Sequence, residues 1–159
     1  MTIKFVAIDT PTVRRLQTGS TDAYGNTPVR RLSDGKGVPC RHCLKPVRAG
    51  EAYLTLSYSP FSEAQPYAET GPIFLHADPC ERAEEDAAMP AMFHASNHAY
   101  ILRGYDGRDW ITYDVAEVVA PDMLEERAAA MLGRADVAYL HMRSSRFNCY
   151  QCRIERGSS

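Results

Sequence analysis

The stretch "AYILRGYDGRDWITYDV", residues 99–115, limits the fold more than any other part of the chain. Two runs rich in β-branched and aromatic residues flank Asp106-Gly107, the strongest hairpin-turn signal in the sequence. Strands joined by so short a turn pair antiparallel. The same period-two logic reads "EAYLTLSYSPF" (51–61) as a half-buried strand, with Tyr53, Thr55 and Ser57 alternating against Leu54, Leu56 and Tyr58. "GPIFLH" (71–76) is a second strand, entered through Gly71-Pro72, and "IKFVAI" (3–8) opens the chain as another. "VAYLHMR" (137–143) and "NCYQCRI" (148–154) close it as strands.

Two helices are expected between them. Asp78 at the N-cap, Pro79 in the first turn and Glu81 three residues after the cap predict a helix over 79–89, stopped by Pro90. Leu124, Ala128, Met131 and Leu132 form one stripe and predict a helix over 122–132, with Gly133 closing it. Residues 17–39 are rich in Gly, Ser, Thr, Asp and Pro and read as a long irregular loop. The echo of "TPTVRRL" (10–16) in "TPVRRL" (27–32) is too short for a structural repeat. No βαβα rhythm appears. The expectation is a single α+β domain over 1–159 with a mainly antiparallel sheet.

Composition narrows the function classes. At 159 residues the chain is long enough to bury a core without a staple, and its net charge of −2 gives no electrostatic case for nucleic acid or an anionic membrane. No apolar run approaches the ~20 residues of a membrane helix, and "MTIKFVAIDTPTVRRL" is not patterned as a signal peptide. Five cysteines cannot all pair within the chain, so reduced thiols or metal ligands in a cytoplasmic protein are expected. The partner is an unspecified small molecule or protein, and composition leaves the oligomeric state open.

Those cysteines carry the most chemistry. "VPCRHCLKPVRAGE" (38–51) places Cys40 and Cys43 at C-x2-C spacing between Pro39 and Pro46, a turn-like setting that supplies half of a tetrahedral zinc site. His76 and Cys80 in "HADPC" supply the other half after a 32-residue gap that reads as a returning hairpin. The metal reading is therefore zinc on Cys40, Cys43, His76 and Cys80, in a knuckle, hairpin and helix unit over 38–89. Cys149 is a substitute fourth ligand. Packed free thiols are the competing reading, since buried cysteine behaves as a small hydrophobe. His42, inside the knuckle, points differently from its cysteines and belongs on the surface or behind the ligands. "NCYQCR" (148–153) repeats the spacing, but on a strand Cys149 and Cys152 face opposite sides. His94 and His98 in "HASNH" have helical chelate spacing in a loop-like context, and His141 reads as a sheet-face residue.

Enzyme readings are weaker. A nucleobase deaminase needs H-x-E before P-C-x-x-C, whereas "PCRHC" here precedes "HAD", with Asp in place of Glu. A thioredoxin-type pair needs a helix after Cys40 and Cys43, and no helical stripe follows. The surviving alternative is a thiol-dependent enzyme using Cys80, with His76 as the nearest base in sequence, or the Cys40/Cys43 pair.

"PCRHCL" (39–44), "PYAETGPIFLH" (66–76), "YILRGYD" (100–106) and "CYQCRIER" (149–156) resemble the bacterial family of domain of unknown function 1203. The resemblance covers most of residues 38–156 and implies no particular activity. It draws notice to Tyr67, Glu69, Arg103 and Tyr105 as pocket-lining residues, for which turn and core roles are the preferred reading.

Overall fold

The computed structural model describes residues 1–158. Along the chain run β1 (Ile3–Val6), α1 (Thr10–Gln17), β2 (Val29–Leu32), β3 (Ala52–Tyr58), β4 (Gly71–His76), α2 (Ala91–His94), β5 (Tyr100–Tyr105), β6 (Ile111–Val119), α3 (Leu124–Leu132), β7 (Tyr139–Ser144) and β8 (Tyr150–Arg156). Every strand pairing is antiparallel and the fold is α+β, as the patterning requires. The chain divides into two compact units. One comprises Met1–Val6, Glu63–Ala68 and the chain from Glu84 onward; the other comprises Ala7–Ser62 and Glu69–Ala83.

The first unit is a five-stranded sheet in the order β1-β8-β7-β5-β6. Leu124, Ala128, Met131 and Leu132 of α3 are all buried, so the expected stripe is the packing face. The β5–β6 hairpin forms with Tyr105 opposite Ile111. Its turn is wider than Asp106-Gly107 alone. Asp106 Oδ1 accepts the N–H groups of Arg108 (2.8 Å) and Trp110 (3.2 Å), and Asp109, at φ 67°, takes the left-handed position that reverses the chain. The β5–β6 register shifts between Arg103 and Tyr105, and a Cβ on Gly104 would lie 2.7 Å from Val115 Cγ1. Only glycine fits there.

The second unit is a three-stranded sheet, β2-β3-β4, with α1 and the cysteine-bearing turn. Ala52, Leu54 and Leu56 are buried while Tyr53 and Thr55 are half-exposed, as alternation predicts. Leu54 pairs with Leu75 and Leu56 with Ile73, which joins the apolar faces of β3 and β4. Helix α1 is capped by Asp9, whose Oδ2 accepts the Thr12 N–H at 3.0 Å, and it buries Val13 and Leu16.

Three local expectations need correction. Residues 79–89 form no helix. The polar groups of this segment have other partners: the Cys80 carbonyl accepts Arg14 Nη2 at 2.7 Å, the Asp78 carbonyl accepts Gln17 Nε2 at 3.0 Å, and the Ala83 N–H donates to the His42 carbonyl at 2.9 Å. The 17–39 loop contains a short strand, because β2 pairs Val29 with Thr55 and Leu32 with Ala52. Residues 10–17, read only as one half of an echo, are a helix. No helix among the described residues is long and apolar enough to cross a membrane.

Candidate metal centre

The turn bearing Cys40 and Cys43 is built from backbone constraints. Pro39 and Pro46 face each other in an isolated antiparallel bridge, and inside it the Cys40 N–H donates to the Lys45 carbonyl and the Leu44 N–H to the Cys40 carbonyl, both at 3.1 Å. Leu44 sits in the left-handed region at φ 54°, an unfavourable conformation for a branched residue, and is held there with its side chain buried. The turn is pinned outward as well: the Arg41 N–H donates to the Phe74 carbonyl on β4, and the Ile8 N–H to the Arg41 carbonyl. The knuckle therefore rests against the strand that ends in His76.

This brings together all four residues singled out by spacing. One ligand atom from each of Cys40, Cys43, His76 and Cys80 lies within 4.8 Å of every other. Cys40 and Cys80 sulfurs are 4.0 Å apart, and Cys43 Sγ is 3.5 Å from His76 Nδ1. These separations decide between chemistries. A disulfide needs about 2.05 Å between sulfurs. Two sulfurs sharing a tetrahedral ion at about 2.3 Å each lie roughly 3.8 Å apart, and a sulfur and a nitrogen slightly less. The observed distances match a shared ion, so the cluster can hold a metal. The His76 N–H also donates to Cys40 Sγ at 3.3 Å, a bond that favours thiolate over thiol.

Electrostatics shows what the protein does without an ion. Hydrogen bonds from Cys43 and then Cys80 pull the Cys40 thiol far below its ordinary range. Bonding to that Cys40 sulfur pushes Cys43 up to about 11 and raises Cys80 as well. One negative charge is thus shared among three sulfurs that lie at the separation of a chelate. All five cysteines are free of disulfides.

Sequence reasoning missed one contact. His42 is fully buried, with Nδ1 3.1 Å from Cys80 Sγ and Nε2 2.9 Å from Thr10 Oγ1 on α1. With a bound ion making Cys80 a thiolate that only accepts, Nδ1 would carry the proton and Thr10 would donate to Nε2. Burial holds this imidazole below the ordinary histidine range. No local signal marks the contact, because Thr10 and Cys80 lie 32 and 38 positions away. His76, expected as the base nearest Cys80, approaches Cys43 instead.

The remaining candidates have other roles. Cys149 is not among the four clustered residues; its sulfur faces the Phe147 carbonyl at 3.7 Å. Cys152 is fully buried in β8, opposite Met142 of β7. His94 ends the short α2 and His98 lies beyond it, with Nδ1 3.3 Å from Ser96 Oγ, so the pair does not share the helix that its spacing would need. His141 lies on a sheet face, as read, and is buried against Tyr105 and Tyr150. Tyr105 is fully buried and stacks on Tyr139 with centroids 5.3 Å apart, which gives it a core role.

No curated protein and no solved structure matches the chain. A family profile described as protein of unknown function (DUF1203) matches residues 37–156, the stretch holding all four clustered residues, and the chain belongs to that family.

Proposed function

We propose that the chain binds one zinc ion through Cys40, Cys43, His76 Nδ1 and Cys80, and that the ion is structural. The observation that carries this is the convergence of four ligand atoms within 4.8 Å, from a turn, a strand end and an irregular segment. Three soft thiolates and one imidazole suit zinc better than any hard cation, and four protein ligands leave no open position for substrate. The ion ties the knuckle to the end of the β3–β4 hairpin and so fixes the surface around it. That makes the protein a binding or interaction module for a small molecule or another protein in a reducing, cytoplasmic setting, where the thiols stay available to the metal.

The test is elemental analysis of protein purified without chelator, beside a thiol titration. Zinc binding predicts about one zinc per chain and thiols masked until a chelator is added. Metal-free protein that takes up no added zinc would overturn the reading.

One observation favours a second reading, a thiol-dependent enzyme with Cys80 as nucleophile. Cys80 Sγ, His42 Nδ1 and, through Nε2, Thr10 Oγ1 form a chain of nucleophile, base and orienting group at 3.1 and 2.9 Å. That reading requires a single fast-reacting thiol in the metal-free protein. The zinc reading instead requires thiols that the metal masks until a chelator removes it.

A further inference from the structure

The three sulfurs of the cluster are not equivalent. Cys40 is fully buried and Cys43 is 9% exposed, whereas Cys80 is only half-buried. Their backbones differ in the same direction. Cys40 and Cys43 sit in a turn closed by paired backbone hydrogen bonds and pinned to β4. Cys80 lies in a segment with no helix or strand, whose carbonyls are gripped by the long side chains of Arg14 and Gln17. A bound ion would keep all three as thiolates. The cysteine that solvent reaches is then also the one outside the hydrogen-bonded turn, and the Cys40 sulfur is 4.0 Å from its own.

We propose that this cluster is an oxidation site: the Cys80 thiolate attacks hydrogen peroxide, a Cys80–Cys40 disulfide closes, and the ion is released. The proposal rests on the zinc reading and adds a chemical response to it. In the first step the Cys80 thiolate forms an S–O bond with one peroxide oxygen as the O–O bond breaks. The other oxygen departs as hydroxide and takes a proton from solvent. In the second step the Cys40 thiolate attacks the sulfenic sulfur, forming the S–S bond and breaking the S–O bond; that oxygen leaves as a second hydroxide and is protonated to water. Two thiolates lose one electron each and the peroxide gains two. Closure needs the sulfurs to approach from 4.0 Å to about 2.05 Å, a movement assigned to the irregular Cys80 segment. With two of its four ligands in a disulfide, the site loses its grip on zinc.

The experiment uses the full chain, purified anaerobically and assayed for zinc before hydrogen peroxide is added. Zinc release is followed with a chromophoric chelator, and linkages are mapped by non-reducing peptide mass analysis. The expected result is about one zinc per chain at the start, release in step with a Cys40–Cys80 linked peptide, and recovery of zinc binding after dithiothreitol. Cys80→His keeps four ligands but removes the reacting sulfur, and should slow release at least tenfold at equal peroxide. Zinc present but released with a Cys40–Cys43 link, or retained while Cys149 oxidises, overturns this inference and leaves the zinc reading intact. A chain with no zinc, and none taken up, overturns both at the first step. Where Cys80→His does not fold, the linkage map of the unaltered chain decides alone.

Discussion

Two C-x2-C pairs occupy this chain, and only one of them joins a cluster that could hold a metal ion. Each lies beside a non-glycine residue in the left-handed region, Leu44 at φ 54° and Asn148 at φ 58°, but on opposite sides of the pair. Leu44 follows Cys43, so the chain turns back after both cysteines and their sulfurs face one point. Asn148 precedes Cys149, so the turn is finished before the pair begins and the chain runs on into β8. Cys152 is then buried against Met142, and Cys149 is left outside the strand. The spacing is identical and the outcome is set by where the backbone reverses. A sequence motif names ligands; a turn aims them.

The sharpest way to break this comparison is to remove one thiol from each pair. Cys43→Ala should abolish zinc binding and with it the stabilisation that binding gives, about 4 kcal/mol at free zinc a thousandfold above Kd. Cys152→Ala should leave zinc content at one per chain and cost on the order of 1 kcal/mol from lost packing. Elemental analysis and urea unfolding, with and without zinc, read both. Loss of zinc in the Cys152 variant would erase the distinction.

Acidity offers a second contrast. Without an ion Cys43 is pushed up to about 11 and Cys80 is also raised, so at pH 7 both hold protons while Cys40 does not. An ion must displace those two protons, so apparent zinc affinity should rise with pH throughout the range below 11 and fall as pH drops. The expected slope is about 100-fold per pH unit near neutrality. Calorimetry in buffers of different ionisation enthalpy counts the protons, and release of none would contradict the shared-charge description.

Smaller effects sharpen the picture further. His42→Ala removes the hydrogen bond to Cys80 Sγ and should weaken zinc binding by about 10- to 100-fold with the four ligands unchanged, read by competition against a chelator of known affinity. Cys149→Ser should change neither zinc content nor affinity, and any measurable loss there would give Cys149 a ligand role.

Much of the frame was legible because strands advertise themselves. Leu54 and Leu56 alternate with half-exposed neighbours, and the Asp106 turn carries its own side-chain bonds. Helices were harder, and two similar caps show why. Asp9 with Pro11 opens a real helix, whereas Asp78 with Pro79 opens none. Val13 and Leu16 give α1 an apolar edge to bury, while "CERAEEDAA" offers only alanines, so no packing rewards the turn that its cap could start. The four clustered residues were legible as types at a spacing. His42 was not, since its two partners come near only through the assembled unit.

The grip of α1 on the chain after β4 has a consequence for the order of assembly. Arg14 and Gln17 reach carbonyls 66, 59 and 61 positions away, at Cys80, His76 and Asp78. Contacts this distant form late in folding, after nearer pairings have lowered the cost of closing the loop. On the zinc reading, Cys40 and Cys43 would meet the ion as soon as their own turn exists, but Cys80 would wait for the helix to dock. Refolding in the presence of a zinc indicator should therefore show two capture phases, a fast weak one and a slow tight one. Arg14→Ala should prolong only the second.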